Sequence, residues 1–145
     1  MLLEWTDGLV LGHERMDDTH REFVDQLNAL GEASDDEMLD RLDAFYAHTV
    51  AHFEQENEWM RAIAFPPAHC HTAEHEGVLE VMREVRRHLV EKQNYNVGRV
   101  LAREIADWFR GHAATMDAML AQMMNMRGVG ENVSELGCAH GGACS

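Results

Sequence analysis

The sequence predicts an all-α protein: an antiparallel up-down four-helix bundle with an N-terminal arm and a glycine-rich C-terminal tail. Three observations lead there. Alternating runs of β-branched residues bounded by turns are nearly absent. Apolar residues recur at helical spacing through most of the chain. The only two prolines, Pro66 and Pro67, stand side by side and divide its middle. A length of 145 residues, 46% of them apolar, suits one domain with one substantial core.

Residues 1–16 precede the helices and carry Trp5, read as a clip over one end. The first helix is expected over about 17–32, with Met16, His20, Val24 and Leu27 on one stripe. The second, over about 36–64, starts after Ser34, Asp35 and Asp36, residues suited to a helix start. The third is expected over about 69–92, and Asn94 and Asn96 mark where it stops and where the fourth, about 96–127, begins. Long helices joined by short loops pack as antiparallel neighbours. From residue 128 the sequence is glycine-rich and aperiodic, so residues 1–127 are assigned to the bundle and 128–145 to a flexible tail.

The 12 Lys and Arg residues face 26 Asp and Glu, a formal charge of -14. Such a surface repels phosphate backbones and anionic lipids, which argues against nucleic acid and membrane surfaces as partners. No apolar stretch approaches the roughly 20 residues that span a bilayer, so no membrane insertion is expected. The N-terminus lacks the basic start and apolar run of a signal peptide. Three cysteines, an odd count, do not form a disulfide framework, and a reducing, cytoplasmic setting is inferred.

Residues 69–77, HCHTAEHEG, contain H-x-x-E-H, a zinc-peptidase pattern with the glutamate as general base. Helix phase reads the stretch differently. Positions four apart differ by about 40° and share a face. His71 and His75 then head a stripe with Val78, Met82, Val85 and Leu89, whereas His69 turns outward and Cys70 points sideways as a small packing residue. On the second helix His52 clusters with Glu56, Trp59, Ile63, Phe45 and Met38, and His48 packs at the edge of that stripe. On the fourth, His112 aligns with Leu101, Ile105, Trp108, Met116 and Met119. Every helix thus presents a histidine to the core, and one adds a carboxylate. Burying them without a shared partner is costly, and a metal supplies that partner. Imidazole and carboxylate without thiolate suit iron, zinc or manganese, but the set exceeds one tetrahedral zinc shell. Met116, Met119 and Met123 are read as core filler, with Trp59, Trp108, Phe53 and Phe109 as core residues able to wall a pocket. His13, His69 and His88 are expected in solvent. Cys138, His140 and Cys144 are read as incidental donors of the tail rather than a redox pair or soft-metal site.

Several pieces together carry a resemblance: the early Trp5, MDDTH ending in His20, HFEQE with His52 and Glu56, FPPAHCHTAEH with His71 and His75, and HAATMD with His112 and Asp117. From about Trp5 to Arg127 the chain resembles the hemerythrins, and most the single-domain bacterial ones. It departs at Asn57, where the family often has a second glutamate, and at Phe109 and Ala113, where bulky aliphatics are common. The resemblance implies two iron ions per chain with a bridging oxo or hydroxo group. His71, His75 and His112 would hold one iron, His20 and His52 the other, and Glu56 and Asp117 would bridge them. It leaves one position open for dioxygen, on the iron with two histidines. The function so implied is reversible dioxygen binding for carriage, storage or delivery to an oxygen-using enzyme, by a monomer with no catalytic residue. The alternatives are an oxygen or redox sensor acting through a separate partner, and a di-iron peroxidase, oxidase or nitric-oxide-handling enzyme. One detail is geometric. Asp117 follows His112 by five residues, about 140° round an ideal helix, so a π-type widening is expected over 112–117.

Overall fold

The computed structural model describes residues 1–129. Helices run over Glu14–Gly31 (α1), Asp35–Ala62 (α2), Ala68–Lys92 (α3) and Asn96–His112 (α4), and a π-helical turn, Ala113–Asp117, leads into α5, Ala118–Arg127. The last three pieces form one limb, so the architecture is a four-helix bundle, without a strand among the described residues. α1 and α3 each pack against both α2 and α4, which closes the ring. No helix among the described residues is long and apolar enough to cross a membrane.

α1 starts earlier than its apolar stripe suggests because His13 caps it. The His13 Nδ1 accepts the Met16 N–H at 3.2 Å, and the His13 carbonyl accepts the Asp17 N–H at 2.8 Å. This corrects the expectation that His13 lies in solvent: it is fully buried, against the Trp59 ring. With Nδ1 accepting, Nε2 carries the proton and donates to the Val129 carbonyl at 3.0 Å. One imidazole therefore ties the start of the first helix to the chain beyond the last, where Val129 is fully buried. The arm is clipped by Asn28, whose side-chain oxygen accepts the N–H groups of Leu2 and Leu3 while its amide donates to the Leu3 carbonyl. Trp5 is half-buried against the same core.

At the head of α2 the Ser34 N–H donates to the Glu37 carboxylate at 3.2 Å, and Asp35, Asp36 and Glu37 place negative charge at the positive end of the helix. Pro67 takes the cap position before α3, and Gln93, at φ 54°, ends that helix in the left-handed region. Gly98 on α4 faces Met38 on α2 so closely that any Cβ would run into the methionine side chain.

The core has two apolar clusters, one around Phe23, Phe45, Met82 and Phe109, the other around Met16, Trp59, Ile63 and Leu120. The inward histidines and carboxylates fall between them along each limb. From the π turn onward the buried stripe differs from expectation. Met119 is 50% exposed and Met116 and Met123 are half-buried, while Leu120, Ala121 and Met124 fill the core. The turn takes in one extra residue, so each inward position falls one residue later than on an ideal helix. Cys70 also departs from its expected packing role: it is an exposed free thiol. His69 and His88 are exposed, as expected. Cys138, His140 and Cys144 lie outside the described residues.

Candidate metal centre

Each limb delivers its polar residues to one point because each sits on the apolar stripe that the bundle buries. His20 comes from α1, His52 and Glu56 from α2, His71 and His75 from α3, His112 from the end of α4 and Asp117 from the π turn; all seven are buried. The i,i+4 pairs 52/56 and 71/75 stack one turn apart on one face. Asp117 joins them through the turn.

All five imidazoles point Nε2 inward, and the carboxylates lie between them. Glu56 Oε2 stands 2.8 Å from His52 Nε2 and 3.4 Å from His20 Nε2, while its Oε1 stands 3.2 Å from the Nε2 atoms of both His71 and His75. Asp117 repeats the pattern: Oδ2 lies 3.2 Å from His20 Nε2, and Oδ1 lies 3.0 Å from His71 Nε2 and 3.2 Å from His112 Nε2. Each carboxylate thus turns one oxygen to the pair His20/His52 and the other to the trio His71/His75/His112. The donor atoms group accordingly, into Glu56, His71, His75, His112 and Asp117 on one side and His20, His52 and Glu56 on the other.

The residues fit metal ions better than they fit one another. Both Asp117 oxygens are buried and neither makes a well-directed hydrogen bond, despite the imidazole nitrogens nearby. His75 and His112 face each other Nε2 to Nε2 at 3.3 Å, an approach that is favourable when the two lone pairs share an ion. Donors about 2.1 Å from one ion and at right angles stand about 3 Å apart, which is the spacing found.

Without a metal the cluster holds protons instead. Burial opposes charge on His20 and His71, but the negative charge of the adjacent carboxylates Asp117 and Glu56 outweighs it and raises both to about 9. Burial likewise opposes charge on His112, and Asp117 and Glu74 raise it. His75 is lowered, by burial first and by its charged neighbours His71 and His112. Burial pushes against ionisation of Glu56 and Asp117 too, yet the surrounding imidazoles hold both carboxyls below their usual range.

Aromatic rings wall the cluster. Phe53 stacks on His75 at 3.8 Å, Trp108 on His112 at 4.3 Å, and Phe109 meets the edge of His20 at 5.1 Å. Trp59 instead packs in the second apolar cluster, against His13. His48 is half-buried and lines, with His52, a cleft of about 220 Å³ between α1 and α2.

The family model for the hemerythrin HHE cation binding domain matches residues 11–124. The chain belongs to the hemerythrin family. It is 42% identical over 127 residues to a bacteriohemerythrin of Ralstonia nicotianae, covering 88% of this chain and 92% of that one. A bacteriohemerythrin of Aquifex aeolicus is 32% identical over 119 residues, 79% of this chain and 91% of the relative. A hemerythrin of Sipunculus nudus is 26% identical over 120 residues, with 83% and 92% covered. A crystal structure of wild-type hemerythrin has the same fold, at a TM-score of 0.73 and 22% identity, covering 84% of this chain and 97% of that one. In this hemerythrin-family bundle the seven inward polar residues form the buried metal-binding candidate.

Three residues at or near this cluster escape a reading of the sequence alone. Phe23 packs against both His52 and Phe109, and His13 holds the bundle's end. Both are side chains whose neighbours come from other limbs. Glu74 accepts hydrogen bonds from His112 Nδ1 and Trp108 Nε1. Its signal is the H-x-x-E-H pattern, although the carboxylate sits behind His112 and not inside the cluster, where a peptidase base would have to stand.

Proposed function

We propose that this chain binds dioxygen reversibly at a non-haem di-iron centre, with His71, His75 and His112 on one iron, His20 and His52 on the other, and Glu56 and Asp117 bridging. The observation that supports this best is the orientation of the two carboxylates, each with one oxygen toward the histidine pair and one toward the trio. A single ion has no use for that arrangement; two adjacent ions do. When bound, a ferrous pair supplies the two electrons that reversible dioxygen binding needs.

The chain's own residues do the rest. The histidine pair is the poorer donor set, so the His20/His52 side would be the one with room for dioxygen. On that side Phe109 packs against His20 and Phe23 against His52, and both imidazoles are buried. The five imidazoles give a mostly neutral donor set, and among the described residues no further acid reaches into the cluster to supply protons. This favours binding and release over O–O cleavage, and so a carrier, store or supplier for an oxygen-using partner. The test uses the reduced protein, kept anaerobic and then given air. A pair of irons per chain and a visible charge-transfer band that vanishes on degassing are expected. A single bound zinc, or a band that bleaches to the ferric form within one cycle, would overturn the reading.

A further inference from the structure

Four of the five inward imidazoles, those of His20, His52, His71 and His75, have an Nδ1 with no partner in the protein. His112 differs. Its Nδ1 donates to Glu74 Oε1 at 2.9 Å. The same oxygen accepts the Trp108 indole N–H at 3.0 Å. Trp108 lies one turn before His112 and stacks on its ring, with centroids 4.3 Å apart and planes 24° apart. One carboxylate oxygen on α3 therefore grips two side chains of α4 that already lie face to face. Glu74 itself is held at no other point of the cluster and keeps 42% of its side chain in solvent.

We propose that Glu74 is a positioning residue of the His71/His75/His112 side of the centre: it fixes His112 as the tautomer with Nδ1–H outward and Nε2 free toward the metal, and it locks the ring plane through Trp108. The inference rests on the metal reading above. Its physical basis is general: a carboxylate on the far nitrogen of a metal-bound imidazole sets the tautomer, aims the lone pair and makes the ring a stronger donor. The position of His112 needs this. It closes α4 just before the π turn, where the backbone hydrogen-bond register changes and helix geometry alone fixes a side chain less well. A bond from a neighbouring limb, reinforced by a stacked indole, supplies the missing constraint. The other four imidazoles sit inside regular helix and carry no such anchor. The support is therefore lopsided, and the trio side is the better-held half of the site.

The test compares Glu74→Ala, Glu74→Gln and the exposed neighbour Glu76→Ala with the unmutated full chain. Each is loaded anaerobically with iron(II) and, separately, with cobalt(II), whose visible bands report imidazole coordination. Metal release to a competing chelator is followed, together with the hyperfine-shifted, solvent-exchangeable imidazole N–H resonances. Glu74→Ala is expected to weaken retention of both metals roughly 10- to 100-fold. It should also move or broaden one imidazole N–H resonance and leave the others in place. Glu74→Gln keeps an acceptor oxygen without the charge and should recover part of the loss, whereas Glu76→Ala should match the unmutated chain. A change in retention without a change in any N–H resonance would mark a merely structural effect and overturn the proposal. Equal losses in Glu74→Ala and Glu76→Ala would reduce it to helix charge and overturn it too. Cobalt uptake without iron uptake would count against the oxygen reading alone and leave the Glu74 comparison readable in cobalt; failure to hold either metal would overturn both.

Discussion

At the scale of single residues, burial and hydrogen-bond partners decide what each histidine does. His13, His69 and His112 have the same chemistry, yet one caps a helix, one stands in solvent and one faces the metal candidate. The capping role is directly testable. His13→Ala removes the acceptor for the Met16 N–H and the donor to the Val129 carbonyl, and should cost about 1–3 kcal/mol in denaturant unfolding. His13→Asn keeps a good capping side chain and should restore part of that loss. Equal loss in both would show that ring packing against Trp59 matters more than the cap. Asp117→Asn bears on the proposed bridging role of this carboxylate. An amide offers one oxygen where the carboxylate offers two, so this variant should retain less than the full complement of metal by elemental analysis, with the fold intact by circular dichroism.

At the scale of elements, the π turn over Ala113–Asp117 sets which face of the last limb is buried. The five-residue spacing of His112 and Asp117 already requires a widening, and the structure has one. The downstream consequence is not legible in that spacing: phase counted from His112 on an ideal helix selects Met116 and Met119, and the extra residue hands the core to Leu120 and Met124. The two registers make opposite forecasts. Leu120→Ala, at a fully buried site, should cost about 2–5 kcal/mol. Met119→Lys, at a half-exposed one, should stay within about 0.5 kcal/mol. Chemical denaturation of the two variants separates the registers, and a severe loss from Met119→Lys would restore the ideal-helix phase.

At the scale of the whole molecule, the centre joins four limbs, so the metal and the fold are thermodynamically linked. Binding to the folded chain alone raises its stability, and stripping the metal with a chelator should lower the melting temperature. The metal-free form has its own pH profile. His20 and His71 hold protons more tightly folded than unfolded, at about 9 against an ordinary 6.5. Their stabilisation is complete below about 6.5 and is lost as the pH rises through about 9. Glu56 and Asp117 act oppositely. Held below their ordinary 4.5 and 3.8, they stabilise the fold above those values and lose that contribution as the pH falls. The metal-free protein should therefore melt highest between roughly pH 4.5 and 6.5 and decline toward pH 9. Metal uptake must displace the same protons, so affinity should rise over the interval in which metal-free stability falls. Differential scanning calorimetry with and without chelator checks both trends, and a flat metal-free profile from pH 6.5 to 9 would contradict them.

Periodicity in the sequence was enough for the four limbs, and histidine phase was enough for His20, His52, His71, His75 and His112 to be expected inward, because a helix face follows from local spacing alone. Glu56 came with its helix, one turn after His52. The assignment of these residues and Asp117 to two irons came from motif resemblance, since spacing within one helix says nothing about which donors from different helices share an ion. The contacts between limbs depend on how the helices pack: the two-way reach of Glu56 and Asp117, the Glu74 bond behind His112, the His13 tie to Val129 and the handover from Met119 to Leu120. The physical reason is common to all of them. Hydrophobic phase is written along one helix, but a hydrogen bond or shared donor geometry depends on how far apart, and at what rotation, two helices come to rest.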